Sequence, residues 1–418
     1  MEKWVRSIYN TMTAAILVGD NRITLKTVPS NSVQCVVTSP PYWGLRDYGV
    51  EGQLGLEDTP EEYVDNLLEV FQETRRTLRD DGVVWLNLGD SYTSGNREGH
   101  GHGQGIGPKQ QTNRGSCGKK DAPRPKMPTG LRYKNLVGIP WRVAFALQAD
   151  GWYLRQDIIW SKGNCMPESV DDRCTRSHEY LFMFTKQEQY FYDADAIREP
   201  NQSIERPNFD GKRGLLPKSE VPGQNSQHDR AGNNPNGRNK RSVWNVNARP
   251  FEGAHFAVMP PALVEPCILA GTSDAGCCPL CGAPWERLVE REWTESKSRS
   301  NKRSGVGDSH WEGLQPTGRM GQFVGGRIET TGWAPTCECP EHEPVPCMVL
   351  DPFGGSGTVG MVARWHSRNS ILCEINPEYV HIIEERLTME QGDNGGWKAP
   401  KHTLGDEVSL DLLTELMK

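Results

Sequence analysis

Near its C-terminal end the chain reads Met348-Val349-Leu350-Asp351-Pro352-Phe353-Gly354-Gly355-Ser356-Gly357-Thr358. A short apolar run, a turn rich in glycine and then a helix-like pattern form one unit. This order constrains the whole fold, because a strand, a glycine turn and a helix in that sequence mark the carboxyl end of a parallel strand. Glycines let a backbone approach a ligand closely, and the helix behind them offers unpaired N–H groups. The next apolar run, Asn369–Glu374, ends in an acid 20 residues beyond Gly354. An acid at that separation suits the two hydroxyls of a ribose. No Lys follows the last glycine, so the unit is not a Walker loop.

The earlier chain alternates in the same manner. Ala14–Val18 reads as a buried strand ending at Gly19-Asp20, Ile23–Val28 as a helical turn, and Val33–Thr38 as a second buried strand. Thr59-Pro60-Glu61-Glu62 opens a helix to Leu78 that Asp81-Gly82 is expected to end, with Val83–Leu88 as a third strand. Leu136–Ala149 is a helix, and Tyr153–Trp160 and His178–Phe184 are strands. His255–Ala270 and Pro377–Leu387 are helix-like. Such alternation predicts an α/β fold, doubly wound on a mainly parallel sheet.

A second motif, Thr38-Ser39-Pro40-Pro41-Tyr42-Trp43, follows a buried strand directly. Two prolines stiffen the turn and remove two donors, which leaves carbonyls to accept hydrogen bonds. With the Ser39 oxygen and the Tyr42 ring beside them, those carbonyls suit an amino group on a flat aromatic base. Taken alone, the same residues also describe a proline-stiffened loop over a core aromatic.

Together the two motifs resemble the S-adenosylmethionine-dependent DNA methyltransferases that modify exocyclic amino groups. Ser39, Pro40, Pro41 and Tyr42 match that family's catalytic turn. Phe353, Gly354, Gly355 and Gly357 match its cofactor loop. Trp85–Asp90, Arg176–Tyr180 and His255–Pro260 are similar to neighbouring signatures. The catalytic turn comes first and the cofactor loop last, which resembles the circularly permuted β-group. The resemblance implies a Rossmann-like methyltransferase sheet, with Asp20 near the cofactor's adenine, Glu374 on its ribose and Asp351 near its methionine part. It also implies a flipped base whose amino group is held by Ser39 and the Pro40 carbonyl and stacked on Tyr42. Ser in the first position slightly favours N4 of cytosine, with N6 of adenine as the alternative. RNA or small-molecule methylation and a non-catalytic zinc-containing DNA-binding protein are more remote. Pro266-Cys267 and Pro346-Cys347 lie outside the context that cytosine-C5 chemistry requires.

Twelve cysteines in 418 residues are too sparse for a disulfide scaffold. Cys35, Cys174 and Cys373 lie in or near apolar runs and read as small buried side chains. Cys278-Pro279-Leu280-Cys281-Gly282 is a knuckle-type turn, and Cys337-Glu338-Cys339 follows it. Four thiolates would hold structural Zn(II), with Cys277, Cys347 and His342 as spare ligands. A reduced thiol cluster and a disulfide are the other readings.

A net charge of −7 argues at first against nucleic acid. Its distribution argues the other way. The irregular segments Ser94–Asn135 and Glu199–Arg249 together hold 18 Lys/Arg against 7 Asp/Glu, leaving 29 against 47 elsewhere. Basic segments of this kind suit double-stranded DNA. The expected organisation is a catalytic half over 1–198, with a mobile basic loop at 94–135, and a target-recognition region at 199–249. The cofactor half covers 250–272 and 345–390, a zinc-knuckle insertion 273–344, and a tail 391–418. No apolar run approaches the ~18 residues of a membrane helix. The N-terminus lacks a signal peptide's apolar stretch. A cytoplasmic location with no membrane partner is expected, together with a possible paired restriction endonuclease. Monomer and homodimer are equally open.

Overall fold

The structure is a computed structural model that describes residues 2–6, 13–45, 47–93, 130–165, 167–200, 236–248, 258–295, 323–391 and 397–398. In chain order the main elements are β1 (Glu2–Arg6), β2 (Thr13–Val18), α1 (Asn21–Thr24), β3 (Val33–Thr38), α2 (Pro60–Thr77) and β4 (Leu78–Leu88). There follow α3 (Ile139–Ala149), β5 (Tyr153–Ser161), β6 (His178–Thr185), β7 (Val243–Asn245), α4 (Pro261–Gly271), β8 (Trp285–Glu295) and β9 (Phe323–Pro335). Last come β10 (Met348–Asp351), α5 (Thr358–Trp365), β11 (Asn369–Glu374) and α6 (Val380–Thr388).

Two compact units are present. The first comprises Met1–Ala196, Arg241–Glu286 and Pro335–Lys418. It is built on a sheet that has nine strands among the described residues, ordered β1-β2-β11-β10-β3-β4-β6-β5-β7. β2, β11, β10, β3 and β4 run parallel to their neighbours. β6 reverses direction between β4 and β5, and β1 is an antiparallel edge. Counted from β10 as the first strand, the seven central strands read 3-2-1-4-5-7-6. This is the mainly parallel, doubly wound and permuted sheet that the order of the motifs predicts.

Burial explains the layers. β3 and β11 are buried at every position, as strands covered on both faces must be. Successive residues alternate between faces. Val36 joins Tyr63, Leu67 and Phe71 of α2 and Val143 and Leu147 of α3 in one core. Cys35 turns the other way, towards α4, where a side chain at Gly271 would come within 2.6 Å of its Sγ. Helix α2 begins at a complete capping box, in which Thr59 Oγ1 accepts the Glu62 N–H and Glu62 accepts the Thr59 N–H.

The second unit, Ile197–Lys240 with Arg287–Ala334, contains most of the β8–β9 ribbon. The Arg287 guanidinium lies 4.5 Å from the centre of the Trp333 ring, and Glu199 pairs with Arg238.

Several local expectations need correction. Helix α2 stops at Thr77, and Leu78 already pairs with Val33 in the sheet. Burying Leu78 there outweighs the stop signal at Asp81-Gly82. Gly82 serves a close approach instead, since a Cβ would meet Leu78 at 2.6 Å. Trp244, within the segment expected to be irregular, is buried in β7 with its ring 6.2 Å from that of Trp85. Cys174 is exposed, whereas Cys35 and Cys373 are buried as expected. β1 and the β8–β9 ribbon carry no signal in the periodicity. Residues 94–129, 201–235, 249–257, 296–322 and most of 391–418 lie outside the described residues, and with them most of both basic segments. No helix among the described residues is long and apolar enough to cross a membrane. Replacing Thr59 by Ala should remove about 1 kcal/mol of stability, read as a shift in the urea midpoint at constant slope.

Candidate active site

The carboxyl ends of β2, β11, β10, β3 and β4 open on one cavity of about 480 Å³. It lies where the strand order reverses between β10 and β3, the position at which open α/β sheets bind ligands. Its lining includes Asp20, Ser39, Pro40, Pro41, Tyr42, Asp351, Phe353, Gly354, Gly355 and Glu374. Of the residues expected to form the turn and the cofactor loop, only Gly357 is absent from this lining. Gly357 sits at the start of α5 with φ 76°, and a Cβ there would meet Ile383 at 2.9 Å. Gly354 is also confined, though less tightly, since a Cβ would reach the Cys373 carbonyl at 3.2 Å.

Two buried carboxylates hold the cofactor-loop side. Asp351 accepts hydrogen bonds from Thr38 Oγ1 at 2.6 Å and the Phe353 N–H at 3.0 Å. Glu374 accepts from the N–H groups of Gly355 at 2.7 Å and Asn376 at 2.8 Å. Asp20 caps α1 and is ion-paired with Arg22 at 2.6 Å. Asn21 donates to the Pro352 carbonyl at 2.9 Å, joining the ends of β2 and β10.

On the other side, the turn after β3 is pinned from α2, where Tyr63 Oη donates to the Pro41 carbonyl at 2.8 Å. The Tyr42 ring lies against Gly89, where a Cβ would come within 2.5 Å of Cε2. Tyr42 Oη donates to Glu179 Oε2 at 2.7 Å and lies 3.0 Å from Asn87 Oδ1. Ser39 Oγ is 3.3 Å from both Asn87 Oδ1 and Tyr42 Oη. Lys162 Nζ donates to Glu179 Oε1 and lies 4.2 Å from the centre of the Trp160 ring.

Comparison with known proteins decides the family. The sequence profile of the N6/N4 DNA methylases matches residues 33–278 and 347–385. The chain is 41% identical over 376 residues to the Type II methyltransferase M.XycI of Xanthomonas campestris pv. cyanopsidis, covering 90% of this chain and 87% of that one. It is 40% identical over 377 residues to M.Cfr9I of Citrobacter freundii, covering 90% and 88%. Among solved structures, the cytosine-N4-specific PvuII DNA methyltransferase superposes with a TM-score of 0.48 at 16% identity, covering 96% of this chain and 90% of that one. The chain belongs to the N6/N4 DNA methylase family.

In this methylase a second cluster lies beside the amino end of β3. The Sγ atoms of Cys278, Cys281, Cys337 and Cys339 lie within 4.8 Å of one another. Cys278 Sγ accepts the N–H groups of Leu280 and Cys281 at 3.4 Å each. Gln34, at the amino end of β3, fastens the knuckle by donating to the Gly282 carbonyl at 2.9 Å, and Arg79 donates to the Cys281 carbonyl. Five residues of strand, roughly 17 Å, separate Gln34 from Ser39. Cys277, Cys347 and His342, the spare ligands, stand outside the four-thiol group.

Asn87, Glu179, Lys162 and Trp160 line or support the cavity without having been assigned a role from sequence. Asn87 and Glu179 do fall in the Trp85–Asp90 and Arg176–Tyr180 segments. Of the His255–Pro260 segment, residues 255–257 lie outside the described residues, whereas Val258 and Met259 line the cavity.

Burial pushes the Asp351 carboxyl up to about 7, against the hydrogen bonds from Thr38 and Phe353. Burial likewise pushes Glu374 up to about 7, against the N–H groups of Asn376 and Gly355. A carboxyl raised in this way binds its proton in the folded chain at a pH where the unfolded chain has released it. Its stabilising share is therefore complete below about pH 4 and lost as the pH climbs through about 7. Between those limits, melting temperatures of Asp351→Asn should fall less steeply with rising pH than those of the parent methylase.

Proposed function

We propose that this methylase transfers a methyl group from S-adenosylmethionine to an exocyclic amino group of a base flipped out of double-stranded DNA, with N4 of cytosine slightly favoured over N6 of adenine. The observation that carries this reading is the adjacency of the two motifs. β3 and β10 are neighbouring parallel strands, and the Ser39–Tyr42 turn and the Phe353–Gly357 loop open from their ends on one cavity.

The cofactor half fits the group assigned to it. The loop has left-handed backbone at Gly355 (φ 53°) and Gly357 (φ 76°), and Gly354 packs so closely on β11 that a Cβ would press on the Cys373 carbonyl. Glu374 stands at the end of the second strand to meet a ribose diol. Asp351 stands at the end of the first, where a carboxylate suits the cationic methionine part. Asp20, its carboxylate oriented by Arg22, would meet the adenine. When bound, S-adenosylmethionine supplies an electrophilic methyl group on a sulfonium.

The catalytic half holds the acceptor. Asn87 Nδ2 donates to the Tyr180 carbonyl at 3.1 Å, which turns Oδ1 towards Ser39 and Tyr42. The Ser39 hydroxyl donates to Tyr42 Oη at 3.3 Å, leaving oxygen lone pairs for the substrate amino group. The Pro41 carbonyl is engaged by Tyr63, so the Pro40 carbonyl takes the second amino proton. Tyr42 offers its ring as a stacking surface. Such a site works by positioning and electrostatics, without a covalent enzyme intermediate. The base must leave the stack to reach it, and the basic segments would hold the phosphates.

Four converging thiols with N–H···S hydrogen bonds suit one structural Zn(II). In this reading the metal ties Cys278 and Cys281 to Cys337 and Cys339 beside the amino end of β3. We extend the relatives' Type II assignment to this chain, with a cytoplasmic location and a partner endonuclease of matching specificity.

Labelled-methyl transfer to unmethylated duplex should be positive, and long-read sequencing of DNA from a host expressing the chain should report the modified base with its context. Absence of transfer to DNA of any sequence overturns the proposal. Ser39→Ala and Tyr42→Ala should each lower transfer by about 100-fold or more. Calorimetry should find their cofactor affinity unchanged. Elemental analysis should find about one zinc per chain, falling in Cys278→Ser, and a chelator should lower the melting temperature.

A further inference from the structure

The hydrogen bonds beyond Ser39 do not stop at Tyr42. Ser39 Oγ is 3.3 Å from Tyr42 Oη, Tyr42 Oη is 2.7 Å from Glu179 Oε2, and Glu179 Oε1 receives Lys162 Nζ. The carboxylate is only 15% exposed and Lys162 21%, so neither is an ordinary surface charge. A Tyr that served only as a stacking plate would need no half-buried carboxylate on its hydroxyl.

The reaction itself creates a need for such a path. An amino nitrogen that uses its lone pair to form an N–C bond, while the C–S pair leaves with sulfur, becomes a cation and must lose one proton. That nitrogen is conjugated with the ring, so its protonated form is a strong acid. Even a carboxylate already paired with a lysine can accept from it.

We infer that Ser39, Tyr42 and Glu179 form a proton relay in which Glu179 is the terminal acceptor and Lys162 the residue that positions it. The inference rests on the amino-methyltransferase reading above. In balance, the substrate N–H proton passes to Ser39 Oγ, the Ser39 proton passes to Tyr42 Oη, and the Tyr42 proton passes to Glu179 Oε2. Both hydroxyls end neutral and Glu179 ends protonated. Asn87 Oδ1 lies within 3.3 Å of both hydroxyl oxygens and flanks the two links without taking a proton.

The groups facing Glu179 come from three elements. Lys162, over the Trp160 ring, lies at the end of β5, Tyr42 belongs to the turn after β3, and Asn87 belongs to β4. Arg176 and Asp90, 3.9 Å apart, line the same cavity, as does Glu168, which pairs with Arg173. His178 adjoins Glu179 in the sequence and also lines it.

The test is single-turnover methyl transfer to duplex DNA at saturating protein and cofactor, between about pH 5 and 9. Glu179→Gln and Tyr42→Phe, which keeps the ring, should each slow transfer on the order of 100-fold and flatten the acid limb of the profile. The double variant should be no slower than the slower single one, as expected of groups that act as a unit. Lys162→Met should also slow transfer, and Lys162→Arg, which keeps a cation beside Glu179, should restore it. DNA affinity by fluorescence anisotropy and cofactor affinity by calorimetry should stay within about threefold throughout, which separates the relay from a merely structural role. The relay is overturned if Glu179→Gln stays within about threefold of the parent, or if it is slower with an unchanged acid limb. Should Glu179→Gln melt early, Tyr42→Phe decides the matter by the same two readings. A parent protein that transfers no methyl group to DNA overturns the functional reading, whereas an active parent with equally active variants overturns the relay alone.

Discussion

The site depends on one buried hydrogen bond. Thr38 Oγ1 donates to Asp351 Oδ1 at 2.6 Å and joins residues 313 positions apart in the chain. Both lie at the carboxyl ends of adjacent parallel strands, one residue before the proline turn and two before the glycine loop. The register that places Cys35 beside Val349 and Val36 beside Leu350 brings them together. A slip of one residue would turn every side chain of β10 to the opposite face and separate the two motifs. Because the pair is fully enclosed, an unmade bond would leave a polar group without water, which gives the register a strong energetic preference.

Much of this was legible in the sequence, for local reasons. β2, β3, β10 and β11 are short apolar runs closed by turn residues, and the start of α2 is written in four consecutive residues, Thr59 to Glu62. Asp351 and Glu374 close β10 and β11, Asp20 follows β2 after one glycine, and all three line the cavity. Glu179 and Lys162 carry no such signal. They meet because antiparallel β5 and β6 pair Trp160 with Glu179, a contact set by register between distant segments. The same holds for β7, whose three residues are too few for periodicity and whose Trp244 is buried by the sheet it joins. At Leu78 the local helix signals run on past the point where pairing with Val33 takes over.

The two ends of the sheet divide the labour. The carboxyl end has glycine backbone, buried carboxylates and the proline turn, all features that cost stability unless they are supported. The amino end has the thiol cluster, clasped by Gln34, whose amide donates to Gly282 and accepts from the Met348 N–H at 2.6 Å. One side chain therefore ties the knuckle to the first residue of the strand that carries the glycine loop.

The bond from Tyr63 to the Pro41 carbonyl also bears on how a base is received. It fastens the proline turn to the first turns of a helix whose own start is capped, so the turn is rigid before anything binds. A rigid receptor loses little conformational freedom on association, and most of the ordering cost then falls on the nucleotide that leaves the stack. Bases that are already poorly stacked or mispaired would enter with less resistance. The rigidity of a single proline turn would thus make the enzyme responsive to the local looseness of its DNA as well as to its sequence.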